Sequence, residues 1–275
     1  MRNRFCTVCL AAMLFGGSVC AQSARPNLTT IPRTDLFPIR TKLTKEQKER
    51  MLPDPRDVDA FRTVLEQPRT GIARLHPDLG CYENARILKA DETCQNAIPE
   101  GSSYSFRERE NTIEVLSDIR LKGGYFISDG ILTQGFMTNL GDADLVNVDL
   151  ESQGLAFVRA FEPMPEAHDA KDQYTSFVKG IKTGVFEYRK FQKAVVGSTY
   201  AMRIVAYRGN VYRSYRGWKF DLLEGDKRID LIVAFRVVRQ SPDGSLTIVW
   251  KELERRDSPR LRFTKRRDPR TRGAG

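Results

Sequence analysis

The sequence predicts a mainly β fold of the α+β class, an antiparallel β-sandwich or curved-sheet domain with one covering helix, preceded by two short helices. Between residues 71 and 254, short runs of β-branched and aromatic residues are separated by turns rich in Gly, Asp and Asn. The run 229–239 is apolar at both strand parities, which is typical of a strand buried on both faces. One segment, 165–179, has the apolar spacing of an amphipathic helix. These observations favour a single β-rich globular domain over residues 71–254.

Residues 1–21 have the pattern of a cleaved export signal. Arg2 and Arg4 form a basic start, an apolar core follows at 8–15, and Ala21 ends a stretch of small residues at the expected cleavage point. The apolar core is shorter than the about 20 residues that a transmembrane helix needs. We therefore expect a mature chain that begins near residue 22, has no transmembrane segment and is periplasmic or secreted.

Two helices are expected between this signal and the main domain. Residues 22–43 are polar and contain evenly spaced prolines, so they are expected to form an extended segment. Within 44–70, Thr44 opens a capping box, which predicts the start of a short helix. Asp54 is expected to cap a second helix with Pro55 at its first position.

Two turn signals predict β-hairpins in the main domain. Asp129 and Gly130 favour a type I′ turn, because both central residues of that turn need a positive φ. Residues 241–244 predict a second hairpin turn. The strands of these hairpins are expected at 125–128 with 131–140 and at 229–239 with 246–253, and further strands at 82–88, 103–107, 112–121, 145–150, 155–161, 185–193 and 199–207.

The cysteine pattern predicts one disulfide. Three of the five cysteines lie within the export signal, which leaves Cys81 and Cys94 in the mature chain. An exported protein with two cysteines this far apart is expected to join them, because oxidising compartments favour the bond. The alternative is two unpaired thiols.

The positive charge of the chain is concentrated at its C-terminus. The formal net charge is +10, and residues 255–275 contain nine arginines and lysines against two aspartates. This segment is expected to form a disordered basic tail after the globular domain. Such a tail either aids solubility only or attracts anionic polymers without specificity.

The sequence contains no familiar catalytic or metal-binding signature, so an enzymatic role is uncertain and not favoured. His76 and His168 are the only histidines, and both are expected to be ordinary surface or boundary residues. The acidic run 142–149 resembles an oxygen-ligand cluster but lacks the glycine and the last glutamate of a calcium loop, so a polar turn is favoured. No cofactor and no metal site is predicted.

The segment 207–219 is the strongest candidate for a binding surface. Large rings alternate with cations along it, and neither strand parity is cleanly apolar. Rings offer stacking surfaces and arginines offer planar, bidentate donors, a combination that suits sugars, phosphates or single-stranded nucleic acid. The alternative is a twisted hairpin whose rings join the core while its arginines cover them. The candidate contact residues are Tyr207, Tyr212, Arg213, Tyr215, Arg216, Trp218 and Lys219.

These features favour an exported, non-enzymatic, β-rich domain that binds an anionic or carbohydrate-containing partner of the envelope or the extracellular space. One alternative is an envelope-directed hydrolase of glycans or esters that uses carboxylates away from 207–219. Its mark would be a concave pocket where two acids converge. Another alternative is a structural subunit that assembles through a sheet edge. No specific nucleic-acid role is predicted, and the sequence leaves the oligomeric state open.

Overall fold

The computed structural model describes residues 42–84, 87–89, 91–215 and 217–264. The predicted export signal, the polar segment up to residue 41 and residues 265–275 lie outside the described residues, so those expectations stay predictions. The helices are α1 (Lys45–Met51), α2 (Pro55–Ala60), α3 (Arg62–Leu65), α4 (Leu155–Ala160) and α5 (Ala167–Lys179). The strands are β1 (Thr70–Leu75), β2 (Tyr82–Asn84), β3 (Ile87–Leu88), β4 (Ser103–Ser105), β5 (Glu110–Asn111), β6 (Ile119–Lys122), β7 (Tyr125–Ile127), β8 (Thr133–Asn139), β9 (Ile181–Thr183), β10 (Phe186–Tyr188), β11 (Phe191–Lys193), β12 (Thr199–Ala206), β13 (Tyr212–Tyr215), β14 (Trp218–Asp221), β15 (Ile229–Gln240) and β16 (Leu246–Asp257).

Two five-stranded antiparallel sheets form the centre of the domain, which confirms the predicted fold class. The first sheet has the order β1-β16-β15-β12-β8 and the second the order β11-β7-β6-β4-β5. Aromatic rings fill the space between them: Phe235 of the first sheet stacks on Tyr200 at 5.0 Å and meets the edge of Phe126 of the second sheet at 5.2 Å. The apolar contact between the two sheets is therefore the main core.

Strand β15 is buried on both faces, as its sequence predicts. Leu231 and Phe235 point into the core between the sheets, whereas Ile232 and Ala234 belong to a second core on the other side. The strand is the third of five in the first sheet. A central position and two covered faces explain why its sequence is apolar without alternation.

Helices cover the outer face of the first sheet. The predicted covering helix is α5, whose Phe177 is fully buried and stacks on Phe136 of β8 with ring centroids 4.1 Å apart. Residues 155–161 were expected to be a strand, and this prediction is wrong, because Leu155–Ala160 forms helix α4. Its buried residues Leu155 and Val158 are three positions apart, which is a helical spacing rather than alternation.

Three further strand predictions are corrected by the structure. Residues 145–150 form turns in which Leu145 and Val148 are buried. The region 112–121 contains a 3₁₀ turn at Glu114–Leu116 before β6 begins. The expected single strand at 185–193 is divided into β10 and β11, which belong to different sheets.

The turn at Asp129 and Gly130 does not close a hairpin, so that prediction is wrong. Strand β7 pairs with β6 and β11, whereas β8 pairs with β12, and the chain therefore crosses here from the second sheet to the first. Gly130 has φ of 128°, and a Cβ at this position would lie 2.6 Å from the carbonyl oxygen of Ser117. A glycine is therefore needed here because the backbone passes close to that of Ser117. The other predicted hairpin is confirmed, since β15 and β16 pair from Gln240 and Leu246 onwards.

The N-terminal helices are anchored to the body of the domain. The capping box of α1 is confirmed by reciprocal hydrogen bonds between Thr44 and Gln47, and the side chain of Asp54 caps α2. The carboxylate of Asp57 in α2 is buried and accepts hydrogen bonds of 2.7 to 2.9 Å from the guanidinium of Arg239 in β15. This ion pair ties the helical segment to the first sheet.

The predicted disulfide is confirmed. Cys81 and Cys94 are bonded, both are buried, and the bond closes a loop with a sequence separation of 13. A disulfide of this kind is compatible with an oxidising, extracellular compartment. Within the described residues, no helix is long and apolar enough to cross a membrane.

The predicted tail begins later than expected. Strand β16 continues to Asp257, beyond the boundary placed at residue 254. Residues 258–264, here called the terminal segment, form bridges with Arg208 and Glu166. Residues 255–264 are therefore part of the folded domain, and the charge that they carry belongs to its surface.

Candidate functional site

Strands β13 and β14 form a hairpin arm (residues 212–221) that pairs with neither five-stranded sheet. Its register places Tyr212 opposite Asp221 and Ser214 opposite Lys219. Because directly opposite residues share a face, Tyr212 and Lys219 lie on the same side of the arm. The other side carries Phe220, which is buried. The arm therefore has one face directed to solvent.

Asp221 holds the base of the hairpin arm. Its carboxylate accepts hydrogen bonds from Nδ2 of Asn210 at 2.6 Å, from the backbone N–H of Val211 at 2.9 Å and from that of Leu223 at 3.1 Å. Partial burial alone would raise the pKa of Asp221, but these hydrogen bonds together lower it below its usual value. The carboxylate is thus occupied by the turn and does not pair with the cations of the arm.

One side of the hairpin arm combines a ring and a cation. Tyr212 is 56% exposed, and Nζ of Lys219 lies 4.5 Å from the centre of its ring. On the other side, where Arg213 is paired with the buried Phe220, Arg213 is exposed and Trp218 is half-buried. The side chain of Tyr215 and the whole of Arg216 lie outside the described residues, so their predicted roles stay predictions. A cation close to an exposed ring is an arrangement that also suits an anionic sugar.

Tyr207 is separate from the other predicted contact residues. Its side chain is buried, and its hydroxyl donates a hydrogen bond of 2.8 Å to Oε1 of Gln134. Burial raises the pKa of this phenol. Tyr207 therefore belongs to the interior. The alternative interpretation, in which rings of this segment join the core, is correct for this residue, and we leave it out of the contact surface.

Three exposed arginines near the hairpin arm have no carboxylate partner among the described residues. Most arginines of the described ranges form an ion pair within 4.0 Å, among them Arg56, Arg62, Arg69, Arg74, Arg107, Arg120, Arg159, Arg189, Arg203, Arg228, Arg236, Arg239, Arg255, Arg256 and Arg262. In contrast, the exposed Arg208 and Arg213 form none with any described residue, and neither does Arg260 of the terminal segment. Arg208 and Arg260 bridge each other through their backbones. Arg50 and Arg109 form no such pair either, and the same holds for lysines elsewhere in the described ranges, such as Lys182 and Lys193, so unpaired cations also occur away from the arm.

A cavity of about 450 Å³ lies beside the disulfide, away from the hairpin arm. Its wall includes Arg120, whose guanidinium lies 2.7 Å from the carboxylate of Glu114 and 3.3 Å from that of Asp78. Asp129 pairs with the same guanidinium at 2.9 Å. Burial raises the pKa of Glu114 above its usual value. Three acids thus converge on one cation, and two of them, Glu114 and Asp78, line the cavity, which is the mark expected for the hydrolase alternative.

His76 lines this cavity and is buried, so its predicted position at the surface is wrong. Its Nε2 lies 3.0 Å from the carbonyl oxygen of Arg50 and donates the hydrogen, and its Nδ1 lies 3.6 Å from Asp243. Burial is the largest influence on the ring and lowers its pKa. Because the ring holds helix α1 against the domain, its geometry indicates a structural role. His168 is half-buried beside Asp169 on α5.

The acidic run 142–149 forms capped turns, as the polar-turn interpretation expected. Asp144 accepts a hydrogen bond from the backbone N–H of Val146 at 3.1 Å, and Asp149 accepts one from that of Glu151 at 3.0 Å. Among the described residues, no group of three or more His, Cys, Asp and Glu side chains is placed to hold a metal ion.

Sequence analysis did not detect two buried ionic groups. Arg107 donates to Asp118 at 2.6 Å and to Asp226 at 2.8 Å, and all three side chains are almost completely inaccessible to solvent. Arg203 and Asp230 form a second buried pair at 2.7 Å. Burial alone would lower the pKa of Arg107, but its two carboxylates raise it, so the guanidinium stays charged. Arg107 also donates to the carbonyl oxygens of Leu116 and Lys227, and Arg203 to those of Val158 and Phe161, so these groups hold neighbouring segments to the sheets.

The free edges of the sheets give little support to the sheet-edge alternative, which stays a prediction. In the second sheet the outer strands are β5, with two residues, and β11, with three. On the outer edge of β8, Met137 exchanges two backbone hydrogen bonds with Arg189. Strand β1, with six residues, is the other outer strand of the first sheet, and its Arg74 carbonyl oxygen lies 3.5 Å from Nδ2 of Asn111 in β5.

Comparisons with protein-family models, with curated proteins and with solved structures found no match to this chain.

Proposed function

We propose that this protein is an exported, non-enzymatic binding module whose hairpin arm contacts an anionic, carbohydrate-containing partner of the envelope or the extracellular space. One observation carries the proposal. The arm pairs with neither five-stranded sheet and presents the exposed ring of Tyr212 beside Lys219, a cation that forms no ion pair with a described carboxylate. Arg213 adds an exposed, unpaired cation on the other side of the arm, so both charges are available to a partner.

The residues of the arm suit the chemistry of an acidic glycan. Arg213 supplies a planar fork of N–H donors that matches a carboxylate or a sulfate, and Lys219 supplies a compact cation. The ring of Tyr212, steadied by Lys219, supplies a flat surface for the apolar face of a sugar. Tyr215 and Trp218, which pair with each other on the Arg213 side of the arm, would extend the contact there together with Arg216. The predicted leader would bring the arm into contact with envelope polymers.

A triple variant of the hairpin arm tests this proposal. We expect Tyr212→Ala, Arg213→Ala and Lys219→Ala together to weaken binding to polygalacturonate by about 10–100-fold, because both the cations and the ring are lost. Biolayer interferometry at low and high salt measures the effect, and the salt dependence should also become shallower.

The matched control replaces the same residue types elsewhere, with Tyr125→Ala, Arg62→Ala and Lys182→Ala. These side chains are exposed, so the control removes equal charge and one ring without touching the hairpin arm. If both triple variants bind polygalacturonate equally, the charge of the protein as a whole explains the binding and the proposal is wrong.

A hydrolase that uses the cavity is the second candidate, and the convergence of Glu114 and Asp78 on Arg120 favours it. The raised pKa of Glu114 suits a general acid, and a neighbouring carboxylate suits its partner. Release of shorter oligosaccharides by the full-length protein, abolished by Glu114→Gln, would support this candidate. If the polymer keeps its length during incubation with the full-length protein, the hydrolase candidate is wrong and the binding module remains the proposed function.

A further inference from the structure

The cavity beside the disulfide has walls that are fixed by hydrogen bonds and by a covalent bond. The backbone N–H of His76 donates to the carbonyl oxygen of Gly101, and that of Asp78 donates to the carbonyl oxygen of Leu121, both at 2.8 Å. The disulfide holds Cys81, which also lines the cavity. The cavity is therefore a preformed space, and its volume of about 450 Å³ is typical of a small-ligand site.

One part of the cavity wall is apolar. Ile98 and Ile113 line it and are buried, whereas Leu79 is 57% exposed and Val115 is 37% exposed. A ligand that covers the last two side chains removes apolar surface from water. The wall therefore favours a ligand with aliphatic groups.

Arg50, in the last turn of α1, supplies a cation to the cavity. Its guanidinium donates a hydrogen bond of 3.0 Å to the carbonyl oxygen of Asn96 and forms no ion pair with any described residue. Nε2 of His76 donates to the carbonyl oxygen of Arg50 at 3.0 Å and holds this end of the helix at the cavity. The remaining N–H groups of the guanidinium suit a carboxylate.

Glu114 supplies a carboxylate to the same cavity. Its Oε2 lies 2.7 Å from the guanidinium of Arg120, and its Oε1 has no hydrogen-bond partner among the described residues. Arg120 also pairs with Asp78 and Asp129, and Lys122 pairs with Asp78 at 3.3 Å. Because three carboxylates share one guanidinium and the Glu114 side chain is 53% exposed, this carboxylate can accept hydrogen bonds from an ammonium group.

The two charged groups lie on different parts of the wall. His76 contacts Arg50. Asp78, two residues further along the chain, contacts the guanidinium that Glu114 also meets. A ligand that reaches both charges must extend along the cavity, which favours a short peptide over a single amino acid.

We infer that the cavity binds a short peptide with free ends, whose carboxylate meets Arg50 and whose ammonium group meets Glu114. The aliphatic side chains of the peptide cover Leu79 and Val115. This inference does not rest on the proposed function, because the cavity lies away from the hairpin arm. It gives the cavity a ligand that is bound and not cleaved. Since each end of the peptide is recognised by its charge, the site rejects peptides whose ends are blocked.

Isothermal titration calorimetry of the full-length protein with trivaline and its blocked derivatives tests this inference. We expect N-acetylation and C-terminal amidation each to weaken binding about tenfold or more, because each removes one charged contact. Glu114→Gln should weaken trivaline by about the same factor but leave the affinity for the N-acetyl derivative unchanged. Arg50→Gln should likewise weaken trivaline but leave the affinity for the amide unchanged.

The matched controls are Glu66→Gln and Arg109→Gln, because both side chains are exposed and neither lines the cavity. Both controls should bind trivaline as the wild type does. The blocked peptides are also measured on the wild type, so the result does not depend on the folding of a variant. If the doubly blocked peptide binds the wild type as tightly as trivaline, or if trivaline does not bind, the inference is wrong. Free valine that binds as tightly as trivaline would overturn the assignment to a peptide.

The outcomes separate this inference from the proposed function. The triple variant of the hairpin arm should bind trivaline as the wild type does while it loses polygalacturonate. If polygalacturonate binds and trivaline does not, the inference fails alone, and in the reverse case the proposed function fails alone. Release of shorter oligosaccharides that Glu114→Gln abolishes would overturn the inference and assign the cavity to the hydrolase candidate.

Discussion

Replacement of Asp118 by alanine is expected to lower the free energy of unfolding by about 3–5 kcal/mol, because it leaves a buried guanidinium without its main partner. The side chains of Arg107 and Asp118 have no solvent exposure, and Oδ1 of Asp118 lies 2.6 Å from Nε of Arg107. Asp118 also accepts hydrogen bonds from the backbone N–H of Arg107 and from the hydroxyl of Ser105. The variant therefore leaves several buried donors unsatisfied. Urea denaturation followed by circular dichroism measures the change.

The control for this variant is Asp59→Ala, which removes an exposed ion pair. Asp59 pairs with Arg62, and both side chains are about two-thirds exposed. Its loss should change the free energy of unfolding by less than about 1 kcal/mol. A double change, Arg107→Met with Asp118→Leu, should recover part of the stability lost in the single variant, because the unpaired guanidinium is removed while the buried Asp226 keeps Arg228 as its partner. If Asp118→Ala and Asp59→Ala are equally stable, the buried ion pair does not hold the fold.

Replacement of Phe136 by alanine is expected to cost about 3–5 kcal/mol of unfolding free energy. The ring is fully buried between the first sheet and its covering helices. It stacks on Phe177 of α5 at 4.1 Å and meets the edge of Phe161 at 5.1 Å. Its removal leaves a cavity in the layer that attaches the helices to the sheet. Thermal and urea unfolding both measure the loss.

Phe263→Ala serves as the comparison, because Phe263 is 72% exposed and its removal opens no cavity. This variant should stay within about 0.5 kcal/mol of the wild type. A Phe136→Ala protein as stable as Phe263→Ala would contradict the arrangement of helices on the outer face of the first sheet.

The sequence predicted the fold class because its strongest signals are local. The two-sided apolar pattern of 229–239 reports the burial of both faces of β15, and the helical spacing of 165–179 reports the buried stripe of α5. Short apolar segments were less informative. In 155–161 the apolar residues fit strand and helix alike, and Gly154, with φ of 87°, begins the helix. Whether such a segment forms a strand or a helix depends on its tertiary packing, and the local sequence pattern does not contain that information.

The turn at Asp129 and Gly130 shows a second limit. Its residues suit a hairpin turn, but the Asp129 carboxylate instead pairs with Arg120 and the glycine passes close to Ser117. Both contacts depend on a chain segment that the turn itself does not contain. Turn chemistry therefore predicted the change of direction but not the partner strand.

The candidate site could be located in part from the sequence. The alternation of rings and cations identified the segment that forms the hairpin arm, and Asp221 was the missing element that fixes its base. Which arginines remain unpaired could not be predicted, because ion pairs join distant parts of the chain. Arg239, for example, forms its ion pair with Asp57 across a sequence separation of 182. Only the folded domain distinguishes such neutralised arginines from Arg213.

The most direct test of the account is a hydrogen-exchange footprint of the full-length protein with and without polygalacturonate. The account predicts slower amide exchange in residues 208–221, which form the hairpin arm and its root. Exchange around the cavity at residues 76–81 and 113–122 should not change. Protection confined to the cavity, with none in the hairpin arm, would contradict the account and assign the polymer to the site formed by Glu114 and Asp78.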